Sequence, residues 1–151
     1  MFILANDVVV NLENVSNVNL VPNRNRIVFN MNYSIQMKHY GHKSLISDYV
    51  YWDAKDSNEY TRNLIKLKEN EHFQREFFAK PKNDGFINVN EISSIKFLED
   101  SRRIIFNLSH QVTFRDKSKN ESLTSEFVYV DIGSKEAYED YKELLLIELG
   151  L

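Results

Sequence analysis

Arg26–Met37 reads RIVFNMNYSIQM, and Arg103–Phe114, 77 positions later, reads RIIFNLSHQVTF. In the first stretch Ile27, Phe29, Met31, Tyr33, Ile35 and Met37 alternate with Arg26, Val28, Asn30, Asn32, Ser34 and Gln36. In the second, Ile104, Phe106, Leu108, His110, Val112 and Phe114 alternate with Arg103, Ile105, Asn107, Ser109, Gln111 and Thr113. A period of two sustained over twelve residues predicts long, half-buried strands of an antiparallel sheet.

The match extends in both directions. At the same offset Val15, Val18 and Leu20 fall on Ile92, Ile95 and Phe97 without a gap. One added residue then aligns SDYVYWD (Ser47–Asp53) with SEFVYVD (Ser125–Asp131), and Tyr60 with Tyr138. So long an ungapped correspondence predicts two tandem copies, residues 1–72 and 85–151, joined by a partly helical connector at 73–84.

Each copy reads locally as a sheet and then a helix. The turn segments VPNRN (21–25) and LEDSR (98–102) are rich in Pro, Asn, Asp and Ser, so each long strand is expected to fold back on the shorter one before it. The third strands, DYVYWDA and EFVYVDI, are apolar or aromatic on both faces, which predicts a central position or cover on both sides. Asp56 or Ser57 then caps a helix with Tyr60, Leu64 and Leu67 inward, continued or restarted through EHFQREFFAK (71–80) until Pro81 and Gly85 break it. Ser134 caps the second helix, with Glu136 in its first turn, Tyr138, Tyr141, Leu144, Leu145 and Leu149 on one face, and Gly150 at its end. The expected class is α+β: two pseudo-symmetric repeats, each a three- to four-stranded antiparallel sheet followed by one helix.

Composition narrows function by exclusion. The 151 residues are 42% hydrophobic with 4 Gly and 2 Pro, enough apolar material for one domain or two small docked ones. No apolar run reaches the roughly 18 residues that span a membrane, and MFIL lacks the flanks of a signal peptide, so the expected location is the cytoplasm. With 0 Cys there is neither a disulfide framework nor a thiolate site. A net charge of −3 has the wrong sign for a surface that binds phosphate everywhere. Residues 1–80 carry 10 Lys and Arg against 9 Asp and Glu, whereas residues 81–151 carry 9 against 13, so the first copy is the better candidate for any nucleic-acid contact.

Catalytic patterns are missing from the sequence. His39 and His42 in KHYGH have a metal-like spacing without the third and fourth ligands a zinc site needs, and read as a hairpin loop. His110 falls on the inward face as a core histidine. Asp53 and Asp131 recur at strand ends, where a turn or capping role is expected. No nucleotide-binding or hydrolase motif is present, and the reading is of a protein that is not an enzyme and needs no cofactor.

What remains is the outward sheet face. Arg26, Asn30, Asn32, Ser34, Arg103 and Asn107 form an amide-rich strip, flanked by Tyr49 and Tyr51 in one copy and Phe127 and Tyr129 in the other. In the opposite register Trp52 and Val130 would face outward instead. Such a face suits a second protein surface, including a homodimer partner. It also suits single-stranded DNA or RNA, with rings stacking on bases and amides reaching their edges. The general plan resembles that of single-strand-binding families such as PUR repeats and whirly domains, and of pleckstrin-homology-like modules. That resemblance is one of topology and implies binding as a class.

Overall fold

The computed structural model describes the backbone of residues 1–39, 42–115 and 121–151, and the side chains outside 33–48 and 110–126. Ser34, His39, His42 and His110 therefore carry expectations whose side chains lie outside the described residues. The chain is α+β, with three antiparallel sheets and three α-helices among the described residues.

The first half opens with a hairpin, β1 (Phe2–Ala5) and β2 (Val8–Asn11). Its tight turn uses Asn6 at φ 57°, a left-handed conformation that Asn tolerates better than most side chains. A short 3-10 turn, Leu12–Asn14, leads into β3 (Val15–Val21), and β4 (Arg26–His39) returns through Pro22–Arg24 and a left-handed Asn25. β5 (His42–Asp53) follows, then α1 (Ser57–Glu69) and α2 (Glu71–Glu76). The chain continues through β6 (Phe77–Ala79), β7 (Gly85–Asn88), a 3-10 turn at Val89–Glu91, β8 (Ile92–Leu98), β9 (Arg103–Arg115), β10 (Glu121–Asp131) and α3 (Lys135–Glu148).

Strand pairing crosses the middle of the chain. One sheet has five strands in the order β5-β4-β3-β7-β6, another has three in the order β10-β9-β8, and β1-β2 stands as a pair. The long strands do fold back on β3 and β8, with Ile27 opposite Leu20 and Ile104 opposite Phe97.

Two apolar clusters hold these sheets. The first gathers Val10, Leu12, Val15, Val18, Ile27, Phe29, Met31, Trp52, Leu67 and Phe73. The second gathers Ile87, Ile104, Phe106, Leu108, Tyr138 and Leu145. The alternation explains the selection: Ile27, Phe29 and Met31 are buried, as are Ile104, Phe106 and Leu108, while the residues between them are not. On β7 the same alternation sends Phe86 against the first cluster and Ile87 into the second, so this short strand ties the two together.

Three local expectations are corrected. Among the described residues β5 and β10 stand at the ends of their sheets and not at the centre, and their outer rings Tyr49, Tyr51, Phe127 and Tyr129 are exposed and lean on one another and on arginines. The helix expected over 71–80 stops at Glu76, and Phe77–Ala79 pairs with β7 instead. Phe73 still stacks on Phe77 at 4.5 Å, so the contact survives the change of backbone. Leu144, expected on the inner face of α3, is 58% exposed, because the buried stripe narrows to Tyr138 and Leu145 with Tyr141 and Leu149 at its margin.

Candidate functional site

The ladder between β4 and β5 places Arg26 opposite Asp53, and that between β9 and β10 places Arg103 opposite Asp131. Both pairs close as bidentate forks. Arg26 Nε and Nη2 donate to the Asp53 carboxylate at 2.5 and 3.1 Å, and Arg103 does the same to Asp131 at 2.6 and 2.9 Å. The hydrogen bonds to these carboxylates raise the pKa of each guanidinium, and the bond from Arg103 lowers that of Asp131. The two aspartates are thus ion-pair partners, which corrects the turn or capping role expected of them. The caps are Asp56, accepting from Glu59 N–H, and Ser134, accepting from Ala137 N–H.

Two residues before each aspartate stands a tyrosine on the same face. The Arg26 guanidinium lies 3.9 Å from the centre of the Tyr51 ring, and Arg103 lies 4.4 Å from that of Tyr129. Tyr49 stacks on Tyr51 at 4.8 Å, and Phe127 lies 6.3 Å from Tyr129. All four rings are at least 42% exposed, whereas Trp52 is buried, which decides the register. The result is an Arg–Asp fork bracing a pair of outward rings on each edge strand.

The amide strip is engaged from within. Asn30 donates to Asn17, whose own amide donates to Ser16, and the Ser16 hydroxyl donates back to the Asn30 carbonyl. Asn32 donates to Glu91, which also accepts from Ser109, so one carboxylate joins β4 to β9. Asn107 donates to Ser94. Ser34 lies outside the described side chains.

Some of the expected residues converge and others do not. Asn30 shares a cleft of about 300 Å³ with Asn17, Asn19, Lys80, Phe127 and Tyr129. Arg26, Tyr49 and Tyr51 do not line it. Lys80 is the residue that sequence reasoning missed: it is 8% exposed, its Nζ donates to Asn19 Oδ1 at 2.6 Å, and burial lowers its pKa against a smaller opposing pull from Asp84. Nothing in AKPKND marks one lysine for burial, because its cover comes from β3 and the chain near Gly85. A smaller cleft of about 190 Å³ opens beside it, lined by Lys80, Lys82, Asp84, Tyr129 and Asp131.

Among the described residues no three His, Asp or Glu side chains gather as a metal site would, and no helix is long and apolar enough to cross a membrane. Compared with protein-family models, with curated proteins and with solved structures, the chain matches none.

Proposed function

We propose that the chain is a non-enzymatic, cytoplasmic binding protein built of two tandem pseudo-symmetric repeats, which contacts another protein through the faces and edges of its sheets. The repeat reading draws support from equivalent features that recur at fixed offsets. Asn6 and Asn83 both adopt left-handed turns, Asn11 and Asn88 both cap 3-10 turns, and the two Arg–Asp forks brace equivalent tyrosines.

The observation that carries the functional reading is the state of the polar groups around the exposed rings. A reader of bases needs unspent donors and acceptors and unneutralised cations. Here the Asn30, Asn32 and Asn107 amides already donate within the chain, and both arginines are forked to aspartates. Exposed aromatics set among neutralised charge suit a protein surface, where Tyr and Phe anchor and a polar rim surrounds them.

Solution mass measured over a range of concentrations, beside a titration with labelled single-stranded oligonucleotides at two salt concentrations, tests this reading. The expected result is no oligonucleotide binding at low salt and a mass above the monomer that Tyr51→Ala with Tyr129→Ala reduces. A second reading, single-stranded DNA or RNA binding, is favoured by the cleft in which buried Lys80 and three asparagines face Phe127 and Tyr129. Micromolar or tighter binding that weakens with salt and is lost on Phe127→Ala with Tyr129→Ala would put that reading first.

A further inference from the structure

The junction inside the chain has a counterpart that is left open at both ends. β7 lies on the edge of β3, with Ile87 opposite Asn17 and Phe86 opposite Val18. The Asn88 side chain caps the next turn through Oδ1 and donates from Nδ2 to the Val15 carbonyl at 2.8 Å. Shifted by the repeat offset, β7 becomes β2 and β3 becomes β8. Among the described residues β2 pairs only with β1, and β8 only with β9.

The consequences are visible residue by residue. Ser16, Asn17 and Val18 are buried beneath β7, whereas the equivalent Ser93 and Ser94 are exposed and Ile95 is only half-buried. Phe86 packs on the first cluster, whereas the equivalent Val9 is 64% exposed. Asn11 accepts from Glu13 N–H just as Asn88 accepts from Asn90, yet its Nδ2 has no partner among the described residues. Phe2 and Leu4 extend the exposed apolar surface beside Val9. An unpaired edge with apolar side chains is a template for another strand.

We propose that the β2 edge of one molecule docks on the β8 edge of a second copy of this chain, repeating between molecules the β7–β3 junction found within one. The inference rests on the tandem-repeat reading. Its register is fixed by that template: Val10 opposite Ser94, Val9 opposite Ile95, and the Asn11 amide on the Ile92 carbonyl. Lys96 then meets the end of β2 beside Asp7, where the internal junction has Asn19 and Asp84, which adds an opposite-charge pair. The contact joins two different surfaces, so it runs head to tail into rows unless the rotation between copies closes it into a ring or a reciprocal pair.

Position 8 limits its strength. At the internal junction Gly85 occupies this place, and a Cβ there would lie 2.2 Å from the Val18 carbonyl oxygen. Val8 carries that Cβ, so the intermolecular ladder splays at this end and self-association is weak and concentration-dependent.

Because the chain has 0 Cys, single cysteines report the contact directly. Val9→Cys and Ile95→Cys proteins, verified as folded by circular dichroism, are mixed under oxidising conditions, and a variant carrying both is oxidised alone. The expected products are a mixed Val9→Cys/Ile95→Cys dimer and, for the double variant, a ladder of multiples. Val8→Gly should move self-association to about tenfold lower concentration. Predominant self-pairing of Val9→Cys, or no cross-link at millimolar protein, would overturn the proposal. A dimer lost on Tyr51→Ala with Tyr129→Ala but without the mixed cross-link overturns it while leaving the sheet-face reading intact. Mixed cross-linking with no effect of the tyrosine changes supports it and removes the sheet face from the contact.

Discussion

β3 and β8 are written alike and placed unlike. Both are seven-residue strands that lead by a tight turn into a long partner, yet among the described residues β3 lies between two neighbours and β8 has one. Val15 to Val18 are buried, while Ser93, Ser94 and Lys96 are exposed. The difference teaches that burial along these strands follows what lies on the edge as much as which face a residue occupies. β7 supplies both backbone pairing and Phe86 to β3, and β8 receives neither.

The strongest way to disrupt this contrast is to push β7 away from β3. Gly85→Val places a Cβ against the Val18 carbonyl and is expected to cost about 3 kcal/mol in denaturant unfolding, whereas the reciprocal Val8→Gly costs about 1 kcal/mol or less. A smaller effect should separate the strands themselves. Val18→Ala, at a fully buried position, is expected to cost about 2 kcal/mol by lost burial and cavity, and Ile95→Ala about 1 kcal/mol despite removing more atoms. Equal losses at the two sites would show that β8 is covered in solution.

Lys80 extends the comparison to charge, because among the described residues it is the lysine that is buried, and it lies at the covered junction. Its folded pKa lies below the ordinary value through burial, so between those two values the unfolded chain binds more protons. Stability should therefore rise as pH climbs through that window. Lys80→Met, which keeps the stem and removes the charge, should flatten the rise in a series of melts across alkaline pH. The smallest effect is expected at the exposed forks. Arg103 depresses the pKa of Asp131, so the contribution of the pair is present above the ordinary aspartate pKa and is lost as pH falls through the depressed one. Arg103→Met should return Asp131 to ordinary titration by NMR with little change in melting temperature, and molar salt should shift wild-type Asp131 in the same direction. Arg26→Met should likewise lower melting temperature only slightly, since both forks are open to solvent.

The candidate site was readable to the extent that it depends on alternation. Tyr49, Tyr51, Phe127 and Tyr129 share a face with the asparagines because a strand turns its side chains every second residue, and the structure exposes those rings while burying Trp52. What the strip does with its hydrogen bonds was not readable. Asn17 and Ser94, which receive the Asn30 and Asn107 amides, lie on neighbouring strands, and Glu91 reaches Asn32 from 59 residues away. Asp53 and Asp131 look like turn residues in sequence because their arginines stand 27 and 28 positions upstream. The aromatic third strands look central because two apolar faces have the same pattern whether a layer or a neighbouring ring covers them.

By itself the sequence determined the local grammar: long alternating strands, turns at Asn and Pro, a helix cap at Ser134 and another at Asp56 or Ser57, and the correspondence between its halves. These depend on backbone periodicity and on hydrogen bonds a few residues apart, which each segment carries within itself. Only the tertiary structure decided that β7 would cover β3, that β5, β8 and β10 would be edges among the described residues, and that Lys80 would be buried. Edge pairing uses backbone groups that every residue has, so a strand's composition does not name its neighbour. The choice depends on whether a close approach such as that at Gly85 is possible, and that is fixed only when both strands are in place.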